Sequence, residues 1–68
     1  MHDYEYPDID TMPNMGGIHT DVVASEMTDK DIIGCVWNEA DEVLHVHWQR
    51  ILSSGDEALL DTIVANNT

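Results

Sequence analysis

The hydrophobic positions of this chain change their spacing along its length, and each spacing predicts a different element. The stretch IHTDVVASEM, residues 18–27, alternates apolar or small residues with mostly polar ones, and a period of two is typical of a half-buried strand. Two further runs, DIIGCVW (31–37) and VLHVHWQRI (43–51), are rich in the branched and aromatic residues that favour strands. The turn-forming residues NEADE (38–42) lie between them, so we expect the second and third strands to form a hairpin.

The C-terminal residues LSSGDEALLDTIVANNT predict one helix. Ser54 and Glu57 have the spacing of a capping box, and acidic residues in the first turn suit the helix dipole. The apolar residues of this segment share one helical face: Leu59, Leu60, Ile63 and Val64. A helix of about three turns is not stable alone, so we expect it to pack on the sheet. The predicted fold class is α+β, a small antiparallel three-stranded sheet with one C-terminal helix packed on it.

The N-terminal residues MHDYEYPDIDTMPNMGG (1–17) are interpreted as lacking a helical or strand period, and they contain both prolines of the chain. Pro7 and Pro13 favour extended geometry in the residues that precede them. We therefore predict an extended acidic arm over residues 1–17, disordered on its own or ordered along a partner. A small strand–strand–strand–helix domain is expected over residues 18–68. A tail without a role is the alternative interpretation of the arm.

Net charge restricts the partners that this chain can have. Fourteen Asp and Glu residues oppose one Lys and one Arg, which gives a formal charge of −12. A molecule of this charge repels nucleic acid and anionic membranes, so we expect neither as a partner. The acidity is explained either by solubility, including solubility in high salt, or by an acidic face that binds a basic partner.

The small size of the chain indicates that it needs support from outside. A domain of this length buries only about 60% of its unfolded surface, and the single cysteine, Cys35, excludes an internal disulfide. Self-association or docking on a larger partner is therefore expected to stabilise it. No apolar run approaches the roughly 18 residues that span a bilayer, and the N-terminus lacks the layout of a signal peptide, so an intracellular product is expected.

The paired histidines of the third strand are the candidate metal ligands. Strand geometry places His45 and His47 together on the face opposite the apolar residues Leu44, Val46 and Trp48. Two imidazoles in this arrangement can chelate zinc or copper if a further ligand is present. His19, Asp41 or Glu42 could supply one, although their spacing does not require it. A solvated or partner-facing polar surface is the preferred interpretation, so no metal and no cofactor is expected.

No catalytic site is predicted. Cys35 could pair with His45 or His47 on a neighbouring strand, but the sequence offers no pocket-forming loop and no Gly-rich turn. The adjacent carboxylates at 41–42 and 56–57 are explained by a turn and by a helix start. A domain of this size also has little volume for a substrate cleft, so the chain is expected not to be an enzyme.

Partner binding is instead assigned to apolar residues of the arm and to one tryptophan. Spaced apolar side chains in the arm are expected to occupy shallow pockets of a partner, while the acids between them meet basic rims. Trp37, with one polar face available, is a further candidate because tryptophan is enriched at interfaces. The full set is Tyr4, Tyr6, Ile9, Met12, Met15 and Trp37.

The segment from residue 32 to 67 resembles short modules of tailed-bacteriophage proteins. In those modules an apolar strand, an acidic turn and an L-x-V-x-aromatic strand precede a helix of the form LS-x-x-[DE]-x-x-x-LD-x-IVA. The matching residues here are Leu44, Val46 and Trp48 in the strand, and Leu52-Ser53, Leu60-Asp61 and Ile63-Val64-Ala65 in the helix. These are mostly core and cap positions, so the resemblance implies a fold and an origin, and it carries over no catalytic residues.

The resemblance implies a virion protein that is not an enzyme. The expected function is that of a capsid decoration or cement protein, which binds the particle surface in many copies. The major capsid protein or another virion protein is then the expected partner, with self-association, for example as a trimer, and assembly in the host cytoplasm. The alternative is an acidic mimic of DNA that inhibits a nucleic-acid-binding enzyme of the host. Against mimicry, four of the fourteen acids lie in the predicted arm, and flexible charge imitates a duplex poorly.

Overall fold

The fold is α+β, with a three-stranded antiparallel sheet and two helices, in a computed structural model that describes all residues from 1 to 68. The elements in chain order are β1 (His2–Tyr6), α1 (Met15–Ala24), β2 (Ile32–Asn38), β3 (Val43–Trp48) and α2 (Ser54–Asn66). The strand order is β1-β3-β2, so the β1–α1–β2 connection leaves a gap that β3 fills, a split β-α-β arrangement. Neither helix has the length and apolar character needed to cross a bilayer.

The predicted β2–β3 hairpin is confirmed. Trp37 lies opposite Leu44 and Cys35 lies opposite Val46, which places these four residues on one face. The turn is held by the Asn38 side chain, whose oxygen accepts a hydrogen bond from the backbone N–H of Ala40 at 3.1 Å. Strand spacing and turn chemistry act over a few neighbouring residues, which is why the sequence predicts this unit well.

The strand predicted over residues 18–27 is wrong, because residues 15–24 form helix α1. The Asn14 side chain caps this helix by accepting a hydrogen bond from the backbone N–H of Gly17 at 3.0 Å. Ile18 and Val22, which lie one turn apart, are its fully buried residues. The apparent alternation of the segment is coincidental, since Thr20 and Ala24, which it groups with Ile18 and Val22, are exposed. The prediction of only one helix, at the C-terminus, is corrected in the same way.

The segment predicted as an extended arm supplies the remaining strand of the sheet. Residues 2–6 form β1, which pairs antiparallel with β3 in a register that runs from His2 opposite Trp48 to Tyr6 opposite Leu44. The three-stranded sheet is therefore not the simple meander of consecutive strands that the sequence predicts. The expected boundary between residues 17 and 18 falls inside α1, which begins at Met15.

Two tyrosines explain why residues 2–6 stay on the sheet. The Tyr4 hydroxyl accepts a hydrogen bond from the backbone N–H of Leu52 at 2.7 Å. The Tyr6 hydroxyl donates to Asp61 Oδ1 of α2 at 2.8 Å, and burial followed by this carboxylate raises the pKa of the phenol. Both rings also pack against the hydrophobic core, so β1 is held by side chains as well as by the strand ladder.

The predicted C-terminal helix is confirmed as α2, although its cap lies one residue earlier than the sequence indicates. The Ser53 hydroxyl, and not that of Ser54, accepts a hydrogen bond from the Asp56 N–H at 3.3 Å. Three of the four predicted core residues of the helix are buried, namely Leu60, Ile63 and Val64, while Leu59 is 36% exposed.

A single cluster of buried side chains joins both helices to one face of the sheet. Leu44, Val46 and Trp48 of β3 are fully buried there, as their alternation predicts, and they meet Ile18 of α1 and Leu60 of α2. We call this side of the sheet the inner face. The opposite side has no helix over it, and it is the outer face.

A buried carboxylate ties the α1–β2 loop to α2. Asp56, which is 4% exposed, accepts hydrogen bonds from the Thr28 N–H at 3.0 Å, the Thr28 hydroxyl at 2.8 Å and the Asp29 N–H at 3.0 Å. The hydrogen bonds from Thr28, above all that of its backbone, hold the pKa of Asp56 below its ordinary value. The loop in turn anchors the core, because Asp29 accepts from Trp48 Nε1 at 3.0 Å.

Candidate functional site

The outer face carries a group of titratable side chains that the strand register places side by side. Asp3 of β1 lies directly opposite His47 of β3, and Glu5 lies opposite His45. On the other side of β3, Val36 of β2 lies opposite His45. Because side chains of directly opposed residues stand within reach of each other, this register by itself brings two carboxylates and two imidazoles together.

The Asp3 carboxylate lies between the two imidazoles. Its Oδ2 is 2.8 Å from His45 Nδ1, and its Oδ1 is 3.5 Å from His47 Nε2. If one ligand atom is taken from each of the three residues, all three atoms lie within 4.8 Å of one another. The side chains are partly accessible, at 38% for Asp3, 24% for His45 and 26% for His47, so a solute can reach the group.

Glu5 adds a second carboxylate at the edge of this group. Its Oε1 lies 3.8 Å from His45 Nδ1, and its side chain is 65% exposed and free to move. The two imidazole rings are tilted by 55° with their centroids 6.3 Å apart, so they are not stacked on each other. One nitrogen of each imidazole and the Asp3 carboxylate therefore lie close together on the outer face, with Glu5 beside His45.

The structure brings together the two histidines considered as metal ligands, although no metal was expected, but none of the third ligands considered with them. His19 is exposed on α1, a helix that packs on the inner face and so lies on the far side of the sheet. Asp41 and Glu42 belong to the β2–β3 turn, and neither is part of the group. Asp3 takes their place. The period-two pattern of HDYEY predicts a strand with Asp3 and Glu5 on one face, although only the register with β3 places Asp3 beside the histidines.

The structure separates the cysteine from the histidines. Cys35 lies opposite Val46 on the inner face, whereas His45 and His47 point from the outer face. Burial raises the pKa of the Cys35 thiol, which disfavours the nucleophilic thiolate at neutral pH. The Cys–His pair considered from the sequence is therefore not assembled.

Most of the residues predicted to bind a partner are in contact with the chain's own core. The partly buried ones are Tyr4, Tyr6, Ile9, Met15 and Trp37, whereas Met12 is 65% exposed. The indole of Trp37 donates from Nε1 to the backbone oxygen of Ile9 at 3.0 Å, which explains how the segment after β1 is held. A direct role of these six residues in partner binding stays a prediction.

One cleft of about 440 Å³ opens between the end of β1 and α2. Its walls include Ile9 and Val64, and its titratable groups are Tyr6 and Asp61, which are hydrogen-bonded to each other at 2.8 Å. The cleft is remote from the histidines, since it lies on the helix side of the sheet. It therefore adds no chemistry to the outer face.

The fold and the outer face thus define a small α+β domain with one covered and one uncovered side of its sheet. Comparison with protein-family models, with curated proteins and with solved structures found no match to this chain.

Proposed function

We propose that this chain is a non-enzymatic accessory protein of a tailed-bacteriophage particle, a decoration or cement protein that binds the particle surface in many copies. The observation that carries the proposal is the uncovered outer face, which ends at the unpaired edge of β1. The resemblance of residues 32–67 to modules of tailed-bacteriophage proteins is the reason for proposing a phage particle. The major capsid protein, or another protein of the virion, is the proposed partner.

The free edge of β1 supports docking by strand addition. β1 pairs with β3 on one side only, so the backbone N–H and C=O groups of its other side have no strand partner. Edge strands of this kind readily accept a strand from another chain. This proposal changes the predicted role of the N-terminal segment. Instead of lying along a partner as an extended arm, the segment offers the free edge of β1 for a partner strand to pair with.

Charge supports a basic partner surface. Asp3 and Glu5 project from the outer face beside the free edge, and the chain as a whole has a formal charge of −12. Complementary charge increases association rates and fixes the orientation of a complex more than it increases affinity. We therefore propose a partner strand or loop with Lys or Arg opposite these two acids, and binding that weakens as salt is raised.

Many weak contacts on a repetitive shell give firm attachment without a large interface. Copies that associate with each other, for example as a trimer at a symmetry axis, bind through several sites at once and gain avidity. Binding of the folded form also adds to the stability of a small domain. Self-association is part of the proposal for this reason.

Mass spectrometry of purified particles tests the proposal directly. We expect the chain at a copy number proportional to that of the major shell protein. Its absence from particles contradicts the proposal. If, in addition, it binds a host nuclease or polymerase in a salt-sensitive manner, the alternative of a DNA mimic is favoured.

A matched pair of variants tests the proposed surface. Val36 on the outer face and Val23 on α1 are 53% and 54% exposed, so Val36→Lys and Val23→Lys make the same change at equal exposure on opposite sides of the molecule. We expect only Val36→Lys to reduce co-sedimentation with particles, because it places a cation where a basic surface docks. Equal binding by both variants contradicts docking through the outer face.

A further inference from the structure

We infer that Asp3, His45 and His47 form a binding site for one divalent transition-metal ion of the zinc class. The site lies on the outer face and joins β1 to β3. It goes beyond the proposed attachment function and does not depend on it.

The spacing of the donor atoms is close to that of a coordination shell. Ligand atoms about 2.0–2.1 Å from a tetrahedral zinc ion lie roughly 3.3 Å from each other. The two nitrogen–oxygen separations across Asp3 are 2.8 Å to His45 and 3.5 Å to His47, on either side of that value. All three donor atoms lie within 4.8 Å of one another, so small rotations of these partly accessible side chains suffice to close the site.

The chemistry of the donors selects the class of ion. Imidazole nitrogens suit zinc, copper, nickel and iron, whereas calcium and magnesium prefer sites made of oxygen. Two imidazoles and one carboxylate occur as a ligand set for catalytic zinc and for non-haem iron, with the remaining positions open. Here Glu5, whose Oε1 lies 3.8 Å from His45 Nδ1, or water can fill the fourth position.

Electrostatics favour a cation at this place. The only two basic side chains of Lys or Arg type are engaged elsewhere. Lys30 donates to the backbone oxygen of Val23 at 2.8 Å, and Arg50 pairs with Asp29 and Asp31 at 3.1 and 2.9 Å. The carboxylates of the outer face therefore have no Lys or Arg partner, in a molecule of formal charge −12.

A simple hydrogen-bonded network accounts for only half of this geometry. His45 Nδ1 is within hydrogen-bond distance of Asp3 Oδ2, and that pair needs no ion. His47, by contrast, faces the other carboxylate oxygen at 3.5 Å without forming a hydrogen bond of good geometry. One metal ion between the three groups explains why both imidazoles are turned toward the same carboxylate.

A bound ion would fasten the edge strand. Asp3 is in β1, whereas His45 and His47 are neighbours on the central strand, so the ion bridges residues more than forty positions apart in sequence. Binding of the folded form then stabilises the N-terminal strand against fraying, in proportion to the logarithm of the ion concentration.

Calorimetric titration of the full chain with Zn²⁺ tests the site. We expect one ion per chain, and an affinity that falls roughly tenfold or more in Asp3→Asn, His45→Gln and His47→Gln, since even residues that only orient ligands cost 10–100-fold when lost. Co²⁺ in place of Zn²⁺ should give visible absorption bands of nitrogen and oxygen ligation in the unchanged chain only. Circular dichroism of each variant checks that it is folded.

Two control variants separate this site from other metal binding. His19→Gln removes an exposed imidazole from α1, and His2→Gln removes the imidazole at the start of β1. We expect both to bind Zn²⁺ like the unchanged chain. The inference is overturned if the unchanged chain binds no Zn²⁺ below the millimolar range. It is also overturned if Asp3→Asn and His47→Gln bind as well as the controls, because the ion then sits on general surface charge.

Discussion

The two faces of the sheet differ in what the residues of β3 do. Half of these residues pack in the core on the inner face, and the other half are accessible on the outer face. On the inner face Leu44, Val46 and Trp48 are fully buried. On the outer face the intervening residues, His45 and His47, have side chains that are 24% and 26% exposed. The alternation of β3 thus divides the molecule into a packed side and an accessible side.

The difference teaches where functional chemistry can reside in a domain this small. The inner-face residues Leu44, Val46 and Trp48 belong to the core, so packing constrains their identity. Outer-face positions require only strand-compatible residues, and polar ones suffice. The register nevertheless places Asp3 and Glu5 opposite the two histidines, an arrangement that packing does not demand.

The largest expected effect comes from breaking the inner face. Trp48→Ala removes a fully buried indole and its hydrogen bond to Asp29. We expect the free energy of unfolding to fall by about 3–5 kcal/mol. This loss is comparable with the whole stability of a small domain, because native proteins are stable by roughly 0.05–0.15 kcal/mol per residue. Urea unfolding monitored by circular dichroism measures it. His45→Ala, on the same strand but the outer face, should lose only about 0.5–1.5 kcal/mol, and equal losses would contradict the division into two faces.

The next effect concerns the buried carboxylate that anchors the inner layer. Asp56→Asn replaces one of the two oxygens that accept hydrogen bonds from Thr28 and Asp29, so the melting temperature at neutral pH should fall by several degrees. The pKa of Asp56 is lowered from its ordinary value of 3.8, so the carboxylate stabilises the fold above that pH. This contribution is lost as the pH falls below 3.8 and through the lower pKa of the folded state.

Thermal unfolding of both proteins as a function of pH checks this sign. The difference between the unchanged chain and Asp56→Asn should be constant near neutral pH and should shrink in acid. Exposed acids titrate in both proteins, and their mutual repulsion is relieved equally, so they cancel in the comparison. A difference that grows in acid would show that the carboxylate is not held ionised in the fold.

The local parts of this fold are predictable from sequence, and the non-local parts are not. The β2–β3 hairpin and α2 depend on turn residues and caps within a few positions, so their patterns are sufficient. α1 is missed because Gly16 and Gly17 argue against a helix, although Asn14 caps it and Ile18 and Val22 have helical spacing. β1 is missed because its short alternation, HDYEY, lies within the segment interpreted as an arm, and its pairing with β3, about forty residues away, leaves no local signal.

The candidate site divides in the same way. The pairing of His45 and His47 on one face follows from strand alternation alone. The ligand that completes the group, Asp3, depends on the register between β1 and β3, which no local pattern contains. The sequence offers His19 as one possible third ligand, and only the position of α1 on the inner side removes it.

A smaller effect is expected where the helices of the inner layer meet. A Cβ atom on Gly17 would collide with the side chains of Asn14 and Asn67, at the contact between the start of α1 and the end of α2. Gly17→Ala should therefore cost about 1–3 kcal/mol through overpacking. Gly16, next to it in the same helix, has only an ordinary contact, so Gly16→Ala should stabilise by about 0.5–1 kcal/mol. Opposite signs in urea unfolding confirm the close approach, and two stabilising changes would contradict it.

The smallest effect is expected on the outer face without metal. His47→Gln removes an imidazole that forms no hydrogen bond within the chain, so in the presence of a chelator the unfolding free energy should change by no more than about 0.5 kcal/mol. Zn²⁺ at a hundred times its dissociation constant should then stabilise the unchanged chain by about 2.7 kcal/mol, and His47→Gln by much less. The comparison requires both measurements, because a side chain without a hydrogen bond inside the chain reveals a binding role only through what it binds. If Zn²⁺ stabilises both proteins equally, His47 does not bind the ion. The outer face then differs from the inner face only in its exposure.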